Sequence, residues 1–219
     1  MKLILGLFLS YLIGSIPTGL LVGKLVGCID VRESGSGNIG ATNVARLLGK
    51  KWGGVVLGLD ILKGLIPVAL IPSLLGLHAS NGWLEIALGL AAVLGHCFSI
   101  FLRFTGGKGV ATAIGVFLAI APVQIILLAI VGIILIAWKG YVSLASVVCA
   151  ALLPFFLYLS GYPTPVLFVA ELLAALVIVK HWGNLERLLD GREHAIWDFV
   201  DDQAGENETI PTTKTNSKL

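Results

Sequence analysis

Charge is scarce in this 219-residue chain: Lys and Arg number 15, Asp and Glu 13, together 13% of residues, where a soluble domain carries about 25%. Cysteine is scarcer. Cys28, Cys97 and Cys149 are scattered and odd in number. They show neither metal-ligand spacing nor a disulfide pattern, so they read as small apolar fillers. The chain has no H-E-x-x-H, no G-x-S-x-G and no Cys–His dyad, which argues against a zinc protease or a serine lipase. Ser36 is the one serine set among charges, and no His stands beside it in sequence, although His181 could approach it in space. No internal repeat of about 20–50 residues is evident either.

Apolar residues make up 57% of the chain, and the mean hydropathy is +0.94. They lie in the runs 3–26, 53–77, 84–102, 110–137, 141–160 and 166–179. A spanning helix needs about 20 mostly apolar residues, so these runs predict an all-α integral membrane protein. Lys2 and the following apolar run resemble a signal peptide. No small-x-small cleavage site follows, however, and the run continues to Val26, so a retained first span is expected.

The longest run, 110–137, decides the number of crossings. Pro122, near its middle, removes a helix hydrogen bond. One kinked helix there would give about six crossings, and two short helices meeting at Pro122 about seven. Seven crossings with the N-terminus outside place Lys24, Arg32, Arg46, Lys50, Lys51, Arg103, Lys108, Lys139, Lys180, Arg187 and Arg192 on the cytoplasmic side. The opposite connectors, around 77–83, Pro122 and 161–165, hold no Lys or Arg. The positive-inside rule favours this reading. Trp52, Trp83, Trp138 and Trp182 fall at span ends, as in an aromatic belt. Gly19, Gly23 and Gly27 recur every fourth residue, which predicts close helix–helix approach. From Ala195 to Leu219 the composition turns acidic and then polar, so a disordered cytoplasmic tail is expected after a membrane domain of residues 1–194.

Three polar clusters interrupt the apolar runs, each richer in polar chemistry than a turn requires. In the first, residues 33–46, glycines including Gly37 let backbone N–H groups approach an oxyanion. Ser36, Asn38, Thr42 and Asn43 add neutral donors, and Arg46 adds a charged fork suited to phosphate. A helix over 41–48 would put Thr42 and Arg46 on one face. The second cluster, Gly106-Gly107-Lys108-Gly109, resembles a P-loop but lacks the Ser or Thr after Lys and the preceding strand. Glycine amides, a helix N-terminus and Lys108 still suit an anion. The third cluster sets His181, Asn184 and Arg187 at helical spacing, with Glu193 following Gly191. An amphipathic interfacial helix explains that spacing equally well. Within the second span, Asp60 and Lys63 are functional candidates or a structural pair, and His96 reads as a packed histidine.

Together the motifs S-G-N-I-G-A-T-N-x-x-R (36–46), G-G-K-G-V-A-T (106–112) and H-x-x-N-x-x-R-L-x-x-G-x-E (181–193) closely resemble the bacterial acyl-phosphate:glycerol-3-phosphate acyltransferases, the PlsY family. The segments 14–19, 60–64 and 95–96 resemble it too, and the likeness extends over about residues 1–193. The resemblance implies a seven-span enzyme of the bacterial inner membrane with its motif loops cytoplasmic. It implies transfer of a fatty acyl group from acyl phosphate to the sn-1 hydroxyl of glycerol 3-phosphate, giving lysophosphatidate and phosphate. The H-x-x-x-x-D signature of thioester-dependent relatives is absent: the residue five after His181 is Glu186.

The catalytic set expected is Ser36, Arg46, Lys108, His181, Asn184 and Glu193. Gly37, Asn38, Thr42, Asn43, Gly106, Gly107, Arg187 and Lys63 are expected to bind substrate, with Arg187 either on a phosphate or paired with Glu193. His181 or a substrate phosphate oxygen would take the hydroxyl proton, and the absence of a readable His–carboxylate dyad favours the phosphate. The acyl chain is expected in a groove between spans. No cofactor, metal or nucleic-acid partner is expected, and a monomer in the bilayer is. The rival reading is a phosphate or organic-anion transporter built on Asp60 and Lys63.

Overall fold

The computed structural model describes residues 1–78 and 82–196. Among them, regular structure is helical: α1 (Lys2–Ser15), α2 (Thr18–Val26), α3 (Ala41–Leu48), α4 (Lys50–Leu75), α5 (Trp83–Cys97), α6 (Val110–Ile120), α7 (Pro122–Lys139), α8 (Val142–Leu159), α9 (Thr164–Lys180) and α10 (Trp182–Leu189).

The breaks follow from Pro and Gly. Pro17 interrupts the first apolar run and leaves the Ile16 carbonyl outside the helical ladder. Gly76 ends α4 in the left-handed region at φ 58°, and Leu77 N–H closes back on Pro72 O at 2.8 Å, a Schellman closure. Helix α6 ends at Ile120, and α7 begins with Pro122 in its first turn, where the missing N–H is harmless. The two helices take different partners: α6 packs on α4, and α7 on α8.

Four helical stretches are long and apolar enough to cross a membrane: Lys2–Val26, Lys50–Leu75, Pro122–Lys139 and Val142–Leu159. A fifth is the pair Thr164–Lys180 and Trp182–Leu189, bent by 54°, while Trp83–Cys97 and Val110–Ile120 are shorter apolar helices. Burial is inverted relative to a water-soluble protein. Phe155, Tyr158, Phe168 and Val179 are exposed, whereas Asp60, Lys63, His96, Asn43 and Gln124 are buried. Contiguous apolar exposure on this scale needs lipid to cover it.

Without a hydrophobic drive between helices, close packing must hold them together. Glycines provide it reciprocally. A Cβ on Gly14 of α1 would strike the Ala92 carbonyl of α5, and one on Gly95 of α5 would strike the Tyr11 carbonyl of α1. Gly64 of α4 and Gly115 of α6 meet the backbones of Thr112 and Ile61 in the same way. The expected Gly19–Gly23–Gly27 helix contact takes another form. These glycines face Ile39, Val31 and Leu48, so the small-residue stripe seats the first polar loop and α3 rather than a second spanning helix.

The boundary expected after residue 194 lies inside packed chain. Ala195 is buried, and Ile196 N–H donates to Gly140 O at 2.8 Å. The rest of the expected polar tail, 197–219, lies outside the described residues.

Candidate active site

Each polar cluster is pinned by apolar anchors before it offers any chemistry. Val31, Ile39 and Val44 are buried in a core with Leu20, Val22 and Val56, which fastens the first loop over α2 and α4. Asn43, 2% exposed, staples that loop from inside. Its Nδ2 donates to Val31 O (2.9 Å), Asn38 O (2.9 Å) and Ser34 O (3.2 Å), while Oδ1 accepts from Ser36 N–H (2.9 Å) and Arg46 Nη1 (3.3 Å). Asn38 Oδ1 accepts from Gly40 N–H at 2.8 Å. Thr42 and Arg46 both lie on α3 and border the same cavity.

The second loop folds onto the end of α5. Gly107 N–H donates to the His96 carbonyl at 3.1 Å, and a Cβ on Gly106 would strike that same carbonyl. The glycines therefore bring Lys108 against α5. Gly109, at φ 82°, then starts α6 with its N-terminus at the cavity. The Lys108 ammonium donates to Asn184 Oδ1. Burial, together with the Arg187 and Arg46 charges, holds its pKa down at about 8 against the opposing pull of Glu193.

The third cluster forms α10. Glu193, returning after Gly191 (φ 67°), closes it. Its Oε1 accepts from Asn184 Nδ2 (2.6 Å) and Ser143 Oγ (2.8 Å), and its Oε2 from Arg187 Nε (2.9 Å). Burial alone would raise this carboxyl, but the hydrogen bonds from Asn184, Ser143 and Arg187 outweigh it and hold the pKa below the ordinary value. His181 Nδ1 stands 2.8 Å from Val177 O. A carbonyl only accepts, so Nδ1 carries the proton and Nε2 the lone pair. Burial, with Lys108 nearby, lowers the His181 pKa to about 4.

One cavity of about 400 Å³ is bordered by Ser36, Asn38, Thr42, Asn43, Arg46, Lys108, His181, Asn184, Arg187 and Glu193. Three clusters distant in sequence thus share one space. Gly37, Gly106, Gly107 and Lys63 do not border it. The expected Gly107 amide is spent on His96, and the residues here that border the cavity are Lys108, Gly109, Val110 and Ala111. Lys63 is buried against Asp60 (2.7 Å) and the Ile16 carbonyl (2.9 Å). Arg187 Nε pairs with Glu193 Oε2, while Glu193 Oε1 holds the Asn184 amide in place.

Sequence reasoning missed Ser143, which nothing in its apolar surroundings marked. It also missed the cavity-facing positions of Asp60 and His96. Among the described residues, no group of His, Cys, Asp or Glu is placed to hold a metal ion.

A second, apolar space of about 360 Å³ runs between helices along Phe117, Ile125, Leu128, Leu153 and Leu173. Leu57, Val110, Ile114, Val142 and Ser146 border both spaces. The polar cavity and the hydrocarbon-lined groove therefore adjoin along these five residues.

Residues 4–191 match the family model described as glycerol-3-phosphate acyltransferase. This chain belongs to that family. A glycerol-3-phosphate acyltransferase of Trichlorobacter lovleyi is 50% identical over 184 residues, 84% of this chain and 92% of the relative. Another, from Aquifex aeolicus, is 46% identical over 194 residues, 89% of this chain and 99% of the relative. The crystal structure of PlsY (YgiH), an integral membrane glycerol 3-phosphate acyltransferase, in its glycerol 3-phosphate form, superposes with a TM-score of 0.83 at 45% identity, covering 89% of this chain and 96% of that one. The lysophosphatidic acid form of PlsY gives a TM-score of 0.82 at 42% identity, covering 92% and 100%.

Proposed function

We propose that the chain transfers a fatty acyl group from acyl phosphate to the sn-1 hydroxyl of glycerol 3-phosphate, releasing lysophosphatidate and inorganic phosphate. The observation that carries this reading is the junction of the two spaces. A cationic, donor-rich cavity suits a phosphate headgroup, and the groove joined to it suits an acyl chain. An acyl phosphate would lie across the junction, its carbonyl between Ser146 and the Lys108 side.

In the reaction the glycerol hydroxyl oxygen attacks the acyl carbonyl carbon. The bond between the acyl carbon and the oxygen bridging to phosphorus breaks, and the phosphate leaves with the bonding pair. The mixed anhydride already has a good leaving group, so the protein's work is holding two anions in contact and stabilising developing charge. Arg46, Lys108, Ser36 and the first turn of α6 would bind phosphate oxygens. Asn184, locked by Glu193, fixes Lys108. His181 offers an Nε2 lone pair to the substrate hydroxyl and orients it. With a pKa of about 4 it is a weak base. A phosphate oxygen, whose second pKa is about 6, takes the proton more readily.

Seven crossings, an outside N-terminus and a cytoplasmic site in the inner membrane complete the reading. The separate partners of α6 and α7 and the charge-free opposite connectors support it. The test is to incubate purified protein with labelled glycerol 3-phosphate and either palmitoyl phosphate or palmitoyl-CoA. Labelled lysophosphatidate from palmitoyl phosphate alone is expected. Product from the thioester, or vesicle uptake of label without product, would overturn the reading.

A further inference from the structure

His96 is 4% exposed, yet it borders the anion cavity. Its Nδ1 stands 3.2 Å from the Lys63 ammonium, whose other contacts are Asp60 Oδ1 at 2.7 Å, Ile16 O at 2.9 Å and, more weakly, Thr18 Oγ1 at 3.5 Å. An ammonium has three donors and no acceptor. His96 Nδ1 must therefore accept. Asp60 Oδ1 lies farther from that nitrogen, at 3.9 Å, and already receives Thr18 Oγ1 and Lys63. A proton on Nδ1 would face an ammonium proton, so the ring is neutral and carries its hydrogen on Nε2.

Nε2 sits against Gly107, so closely that a Cβ there would overlap the ring. The Gly107 N–H is meanwhile turned away onto the His96 carbonyl. The donor expected from the glycine backbone at this point is thus replaced by a side-chain donor.

We infer that His96 is a further substrate-binding residue, its Nε2–H donating to a phosphate oxygen held in the anion cavity beside Lys108. Asp60 and Lys63 act behind it as positioning residues that fix the tautomer. This explains why two charges and an imidazole are buried together beside the site, at a desolvation cost that helix packing alone does not require. A neutral donor also adds no further charge beside Lys108 and Arg46. The ligand class is a phosphate oxyanion, whether of glycerol 3-phosphate or of the acyl phosphate. The inference rests on the proposed function.

Two measurements test it. The first compares His96→Phe, which keeps a ring and removes both nitrogens, with His96→Gln, which keeps an N–H near the Nε2 position. His96→Phe is expected to raise KM about tenfold, the effect of one hydrogen bond to a charged group. His96→Gln should stay close to the parent. The substrate whose KM moves, glycerol 3-phosphate or palmitoyl phosphate, identifies the phosphate bound. KM unchanged for both in a folded His96→Phe protein overturns the inference.

The second measurement needs no altered site. Nitrogen-15 histidine NMR of the parent protein, with the His96 signal assigned by its loss in His96→Gln, should show a protonated Nε2. That signal should move saturably with inorganic phosphate. An Nδ1–H tautomer, or an Nε2 signal unmoved at phosphate concentrations that inhibit turnover, overturns the inference even where His96→Phe fails to fold. A parent protein without acyl-phosphate turnover would instead strike the proposed function.

Discussion

Lys108 and Asn184 stand 76 positions apart in sequence, and the ammonium of one donates to the amide oxygen of the other. Because Asn184 Nδ2 is already committed to Glu193, its oxygen has only one way to point. The bond therefore fixes where the Lys108 ammonium lies in the cavity.

Lys108→Ala should reduce kcat/KM by about a hundredfold or more, the range for losing a preorganised donor at developing charge. Steady-state kinetics with palmitoyl phosphate and glycerol 3-phosphate measure it. Near-normal activity would remove Lys108 from the site.

The pH profile should report the same residue. Lys108 is a cation below its pKa of about 8 and loses its charge as pH rises through that value. Anion binding needs the charge, so kcat/KM should fall on the alkaline side of about pH 8. Lys108→Arg should push that limb upward, since guanidinium stays protonated. An alkaline limb unmoved in Lys108→Arg would assign it to another group.

His181→Ala should raise the KM for glycerol 3-phosphate with kcat reduced about tenfold or less, as expected when an orienting acceptor and not the base is lost. A loss of several orders in kcat at constant KM would make His181 the base.

Glu193→Gln should release either Asn184 or Arg187, because one of the two accepting oxygens becomes an amide nitrogen that cannot accept. Activity should fall about tenfold or more, and Ser143→Ala, which removes one neutral donor to the same oxygen, should cost less. Equal losses would contradict the bond order read from Glu193.

Ala174→Phe should shorten the longest acyl chain used while leaving the KM for glycerol 3-phosphate unchanged, since Ala174 borders only the apolar groove. Competition among acyl phosphates of graded length reads it out. An unchanged length profile would place the chain elsewhere.

Local chemistry explains what could be read without coordinates. Apolar run length gives the helices, and Pro122 divides the longest run through its missing N–H. The 41–48 helix with Thr42 and Arg46 on one face, and the α10 spacing of Asn184 and Arg187, follow from the 3.6-residue period. These are properties of neighbouring residues, so the sequence by itself determined them, along with membrane residence and the three anion-suited clusters.

Only the tertiary structure decided how each polar atom is used. Gly107 was expected to offer its amide to the ligand, but helix α5 brings the His96 carbonyl within 3.1 Å and takes it. Lys63 was expected at the substrate, but the Pro17 break presents it with the Ile16 carbonyl beside Asp60. Ser143 joins the site only because α8 packs beneath residue 193. A hydrogen bond depends on which acceptor lies nearest, and for groups tens of residues apart that is settled by helix packing, which no local pattern encodes.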